Sequence, residues 1–277
     1  MKMAVSNLAW DPADDDAVAG LMRSLGVTGL EIAPTRIWDS PLSSTPGQRA
    51  QYRGRWADLG ITIVSLQALL FGRPDLTLFD SVSARSSTLD YLRAMIELAA
   101  DVGASRLVFG SPRNRARGTM AKDKADEIAI PFFRTVGDFA IQAGCVFCVE
   151  PNPPQYDCDW LTTVEEGRRF VKDVSHNGIG LNADSGGITL AGEDPAAVIS
   201  EAAAEIAHFH ISEPQLAPIG DGGVAHPTFA GALSTAGYAG WTSVEMRPPP
   251  VVGRLGVLAK SFGLAADYYG RREGGTV

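Results

Sequence analysis

Eight short runs rich in Val, Ile, Leu and Phe recur along the whole chain and alternate with segments of helical period. They are MAVSNL near Met3, GLEIAP near Glu31, ITIVSLQ near Ile61, RLVFGSP near Val108, CVFCVEP near Cys148, GIGLNAD near Leu181, IAHFHIS near Phe209 and WTSVEM near Val244. Runs that are apolar on nearly every residue suit strands covered on both faces, as in a parallel sheet. The segment DPADDDAVAGLMRSLGV opens on an Asp cap with Pro12 in the first turn. Val18, Leu21, Met22 and Leu25 follow at helical spacing, and Gly26 closes it. TLDYLRAMIELAADVGA ends in the same way at Gly103, and four further helical segments continue the alternation.

A βα unit that recurs every 30 to 40 residues or so has the size of a barrel repeat. The pattern predicts an α/β protein, a single (β/α)8 TIM barrel over 1–270, with 271–277 as a disordered tail. A doubly wound open sheet is disfavoured, because no strand is followed by a GxGxxG-like phosphate turn. The polar stretches 41–54 and 113–124 read as long βα loops at the rim of a site.

Charge and composition narrow the function classes. A net charge of −8 argues against a protein built to grip a nucleic-acid backbone. The N-terminus MKMAVSNLAWDPADDD lacks the pattern of a signal peptide. The longest apolar runs are about half of what a bilayer requires. Three cysteines cannot form a disulfide framework. The expectation is a cytoplasmic protein with a small-molecule substrate, no nucleic acid and no membrane partner.

In such a barrel the catalytic groups lie at the C-terminal ends of the strands. Here those ends are Asn7, Glu31, Gln67, Ser111, Glu150, Asp184, His210 and Glu245. Strands five to eight therefore end, one after another, in Glu, Asp, His and Glu. Four such groups converging on one mouth without a cation would cost several kcal/mol in desolvation and repulsion. One divalent ion removes the conflict, and three carboxylates with one imidazole suit Mn²⁺, Mg²⁺, Co²⁺ or Zn²⁺.

The segments CVEPNP, LNADSGG, FHISEP and SVEM, with the Gly-rich GDGGVAH, resemble the xylose-isomerase-like barrel superfamily. The nearest branch is the sugar phosphate isomerase/epimerase family, which includes ketose 3-epimerases and hydroxypyruvate isomerase. The resemblance runs from NLAW to SVEMRP and is strongest in the second half. It implies Glu150, Asp184, His210 and Glu245 as metal ligands, with Glu150 and Glu245 also the catalytic acid/base pair. It further implies that a sugar or hydroxyketone loses the proton next to its carbonyl, giving an ene-diolate that the metal stabilises. Two positions depart from the family pattern. Gly187 stands where the epimerases have a histidine, and Leu216 where they have an arginine. Glu213 matches a family position near the substrate, and Arg247 is a candidate replacement for the missing positive charge.

Asn7, Trp10, Gln67 and Asn152 complete the expected substrate contacts, with Tyr156 beside them. Trp10 and Phe71 are read as apolar walls, and Glu31 as a partner behind the ligands. His208 shares the inward face of strand seven with His210 and reads as a hydrogen-bonded interior histidine. His226 is read as a loop or cap residue, and Cys145 and Cys148 as structural. The basic residues Arg113, Arg115, Arg117, Lys122 and Lys124 form either a solvated loop or an anion-binding lid. The first functional expectation is a metal-dependent isomerase or epimerase. The alternative is a lyase or dehydratase on the same enolising scaffold. An apurinic-site nuclease and a non-catalytic binding protein are disfavoured by the four histidines, the charge and the intact ligand set. Related barrels also lead us to expect a homo-oligomer.

Overall fold

The computed structural model describes residues 1–270. The expected tail, 271–277, lies outside the described residues. Each of the eight apolar runs forms a strand: β1 (Lys2–Ser6), β2 (Gly29–Ile32), β3 (Thr62–Leu66), β4 (Arg106–Phe109), β5 (Val146–Val149), β6 (Ile179–Asp184), β7 (Ile206–Ile211) and β8 (Trp241–Val244). They pair in chain order, all parallel, and β8 returns to β1 to close the barrel. This is the predicted (β/α)8 fold.

The helices follow their signals with two surprises. The first predicted helix is split into a 3₁₀ turn at Pro12–Asp14 and α1 (Asp15–Ser24). The stretch 41–54, expected as loop, instead enters α2 (Pro46–Asp58). Thr45 caps it reciprocally with Gln48, which satisfies two orphan donors of the first turn. Its apolar signal is faint, since Trp56 is its one fully buried side chain. Next come α3 (Val82–Val102), closed by Gly103 at φ 84°, and α4 (Lys122–Gln142). The loop expectation for 113–124 holds up to Met120, broken by a 3₁₀ turn at Arg113–Arg115. Then α5 (Val164–Val174) precedes β6, and α6 (Ser185–Ala191) follows it directly. The chain continues through α7 (Pro195–Ala202) and α8 (His226–Thr235) to α9 (Arg254–Tyr269).

The core lies between the barrel and its helices. Phe109 and Phe147 point outward from β4 and β5 onto Phe133 of α4, which also meets Phe170 of α5 and Trp160. Each such aromatic contributes about 1.5–3 kcal/mol of burial. This cluster braces the two strands that end beside Glu150. Among the described residues, no helix is long and apolar enough to cross a membrane.

Candidate metal centre and its surroundings

Glu150 and Glu245 stand one residue past the ends of β5 and β8, Asp184 ends β6, and His210 lies near the end of β7. The β6–β7 register places Asp184 opposite His210. Ligand atoms of these four side chains all lie within 4.8 Å of one another. His210 Nδ1 is 3.1 Å from Glu150 Oε1 and 3.1 Å from Glu245 Oε2. Three oxygen donors and one nitrogen donor on rigid strand ends fit a divalent ion of the hard or borderline class.

The protonation pattern points to the same need for a cation. Burial, with the Glu150 and Glu245 charges, pushes Asp184 up to about 7. Burial likewise raises Glu245. Burial opposes ionisation of Glu150, but its hydrogen bond to His210 and the charges of His210 and Arg115 hold it below the usual carboxylate range. His210 is disfavoured as a cation by burial, yet Glu31, Glu245 and Glu150 raise it well above an ordinary histidine. Without an ion, protons supply the positive charge that three crowded carboxylates require.

Supporting residues fix these groups. Glu31, at zero exposure on β2, reaches His210 Nε2 through Oε1 at 2.9 Å and His208 Nε2 through Oε2 at 2.7 Å. Ser65, its register partner on β3, donates to the same Oε2. Gln67 satisfies its amide when the nitrogen donates to Glu31 Oε1 (2.5 Å) and Glu245 Oε1 (3.1 Å) and the oxygen accepts from Ser6. Asn182, two residues before Asp184 on the same inward face, donates to Glu150 Oε1 at 2.6 Å. Ser212 donates to Asp184 Oδ2 at 2.5 Å, and Gly187 N–H donates to Oδ1 at 2.6 Å as Asp184 caps α6. Arg115, fully buried, donates to the Glu150 carbonyl at 2.5 Å. Asn182, Ser212, Ser65 and Arg115 carry no motif, although the spacing of Asn182 from Asp184 was a usable signal.

The other expected contacts divide. Gln67 lines a cavity of about 240 Å³ together with Glu150, His210, Glu245 and the loop 68–71. Phe71 is at its rim, 70% exposed. Asn7 and Trp10 line a different cavity, of about 260 Å³, with Asp15, Arg36 and Tyr52. A 3₁₀ turn at Asn7–Ala9 swings Trp10 away, and its Nε1 donates to Asp15 at 2.8 Å. Asn7 Oδ1 accepts from Ala33 N–H. Asn152 ties Gly110 O to the Glu150 side, donating at 2.8 Å and, more weakly, to Oε2 at 3.4 Å.

Glu213 is fully buried and takes up the Gly-rich loop. It accepts from Gly220 N–H (2.8 Å) and Val224 N–H (3.0 Å) and contacts His226 Nε2 at 3.2 Å, leaving no free face for a substrate. His226 passes the chain of contacts on to the Tyr269 hydroxyl at 2.9 Å. Arg247 bonds Leu216 O through its backbone N–H and leaves its side chain exposed. The basic loop spends its charge locally: Arg117 on Asp159 O and Met120 O, Lys122 on Asp126, Lys124 on Glu127.

The sequence model of the xylose isomerase-like TIM barrel matches residues 20–261. The chain belongs to this family. One relative is the L-ribulose 3-epimerase of Mesorhizobium japonicum, 25% identical over 194 residues. That match covers 69% of this chain and 64% of the relative, less than two thirds of its length. Among solved barrels of the same fold, the D-psicose 3-epimerase of Clostridium cellulolyticum H10 with D-tagatose superposes with a TM-score of 0.80 at 19% identity, covering 97% of this chain and 98% of the other. The IOLI protein with a bound zinc atom gives 0.76 at 17% identity over 98% and 100% of the two chains.

Proposed function

We propose that this xylose isomerase-like barrel is a divalent-metal-dependent isomerase or epimerase acting on a sugar, sugar derivative or hydroxyketone. The observation that carries the reading is the convergence of Glu150, Asp184, His210 and Glu245, whose ligand atoms lie within 4.8 Å of one another, with three of the four lining one cavity. A zinc-bound neighbour of the same fold and epimerase relatives support it. Glu150, Asp184, His210 and Glu245 hold the ion, which when bound stabilises the charge that develops on the substrate oxygens during enolisation.

The remaining work falls to the side chains. Carbon acids beside a carbonyl are weak, so the reaction needs a base aligned with the C–H bond. Glu150 and Glu245 are the two carboxylates placed to take and return that proton; Asn182 fixes Glu150 through its Oε1, and Gln67 fixes Glu245 through its Oε1. Delivery of the proton to the opposite face of the same carbon gives epimerisation; delivery to the neighbouring carbon gives isomerisation. We take residues 1–270 as one domain, and the three free cysteines fit a reducing cytoplasm.

The test is solvent-deuterium incorporation at the carbon next to the carbonyl, screened over ketoses and hydroxyketones with Mn²⁺ added. Incorporation by the native protein, reduced about 10²–10⁴-fold in Glu150→Gln and Glu245→Gln, is expected. Release of water from the substrate without exchange would favour a dehydratase instead.

A further inference from the structure

The lining of the cavity beside the four-residue cluster is chemically divided. Glu150, His210 and Glu245 supply its charged part. The loop 68–71 after β3, with Val108 and Phe109 of β4, supplies an apolar part. Leu69, Leu70 and Val108 are buried there, and Phe71 stands exposed at the rim as a large apolar surface that a ligand would cover.

Outside the ligand group, the polar side chains lining this cavity are Gln67 and Ser111. Both are already engaged. Gln67 bridges Glu31, Glu245 and Ser6. Ser111 bonds Asn114, whose amide nitrogen is in turn held by Arg73 O and Leu76 O. Among the described residues no lysine or arginine lines the cavity. Arg115, buried beside Glu150, donates to its carbonyl. A phosphate against the apolar lining would meet no cationic side chain. A hydroxyl there would exchange water for a wall made largely of Leu69, Leu70, Phe71 and Val108, with few side-chain partners, which costs affinity. The volume, about 240 Å³, suits a small metabolite rather than a drug-sized ligand.

Resting on the enolisation reading above, we infer that the substrate is a small hydroxyketone whose end remote from the carbonyl is deoxygenated or alkyl-substituted, and not a phosphorylated or fully hydroxylated sugar. Phe71, Leu69, Leu70 and Val108 are then the residues that set specificity.

The test uses the Mn²⁺-loaded full chain in D₂O. A panel of ketohexose stereoisomers is offered, each as the parent sugar, its 6-phosphate and its 6-deoxy form. Exchange at the carbon next to the carbonyl is followed by NMR. For the stereoisomer that reacts, the 6-deoxy form should show a kcat/KM roughly tenfold or more above the parent and the phosphate. In Phe71→Ser, an exposed position that leaves the fold intact, this ratio should shrink to within about threefold. Equal or better exchange of the phosphate or the parent overturns the substrate class and leaves enolisation standing. If no compound exchanges here or in the broader screen of ketoses and hydroxyketones above, the enolisation reading fails. Saturation-transfer NMR on the metal-free protein then decides the substrate class separately: stronger transfer to the terminal methyl than to the carbinol protons supports it, and the reverse overturns it.

Discussion

Glu31 Oε1 lies 2.9 Å from His210 Nε2, and this contact turns Nδ1 of the same ring toward Glu150 and Glu245. A ligand histidine whose second nitrogen is held by a carboxylate has a fixed tautomer and a fixed plane. Glu31 is itself anchored by His208 and Ser65, so a chain of buried contacts runs from the barrel interior to the candidate metal centre.

Glu31→Gln should therefore weaken Mn²⁺ binding about 10–100-fold while the barrel stays folded. Calorimetric titration of native and variant protein reads this directly. Unchanged affinity would show that His210 is oriented by something else. His208→Ala should act mainly on stability, by roughly 1–3 kcal/mol, because it leaves a buried Glu31 oxygen with one partner fewer.

Gly110 follows β4 directly and lies against the side chain of Glu150, and a methyl group there would overlap Glu150 Oε2. Gly110→Ala should displace the carboxylate. A shift of about 1 Å at a catalytic group can cost on the order of 10²-fold in rate. The expected outcome is a loss of deuterium exchange of that size with a near-native circular dichroism spectrum.

The metal-free protein should lose stability as pH rises through neutrality. Asp184 is pushed up to about 7 and His210 is raised, so the folded state binds both protons more tightly than the unfolded chain. Their stabilisation is fully present below the unfolded values, about 3.9 and 6.5, and is lost as pH rises through the folded ones. Melting temperatures between pH 6 and 8.5 should fall for the metal-free protein and flatten when Mn²⁺ is added. A metal-free melting temperature that rises across this interval would contradict the assignment.

Glu213 holds two backbone amides of the Gly-rich loop and His226. Glu213→Ala should cost roughly 1–3 kcal/mol in unfolding free energy, since it strands buried donors. Mn²⁺ affinity should stay within about threefold of native, because Glu213 is not among the four ligands. A loss of metal with unchanged stability would return Glu213 to the site.

The barrel was legible because strands buried on both faces leave mostly apolar runs at a regular spacing, and all eight such runs formed strands. The four-residue cluster was legible because Glu150, Asp184, His210 and Glu245 occupy equivalent strand ends. What the chain hides is local. Helix α2 rests on the Thr45–Gln48 cap and one buried Trp56, a pattern that looks polar throughout. Helix α6 is seven residues with two glycines, held at its start by Asp184. Trp10 is aimed by a 3₁₀ turn, and Glu213 by a loop that folds back on it. Such turns depend on tertiary contacts and leave no period to read. Asn182 and Ser212 are short polar residues whose value appears only once their neighbours are in place.

The central claim is that four strand-end side chains hold one divalent ion. Elemental analysis of the purified, untagged protein, native and Asp184→Asn side by side after equilibration with Mn²⁺ and desalting, tests it most directly. The account predicts about one ion per chain in the native protein and a large loss in the variant, with both folded. Absence of bound metal in the native protein, with no thermal stabilisation by Mn²⁺, Mg²⁺, Co²⁺ or Zn²⁺, would contradict it.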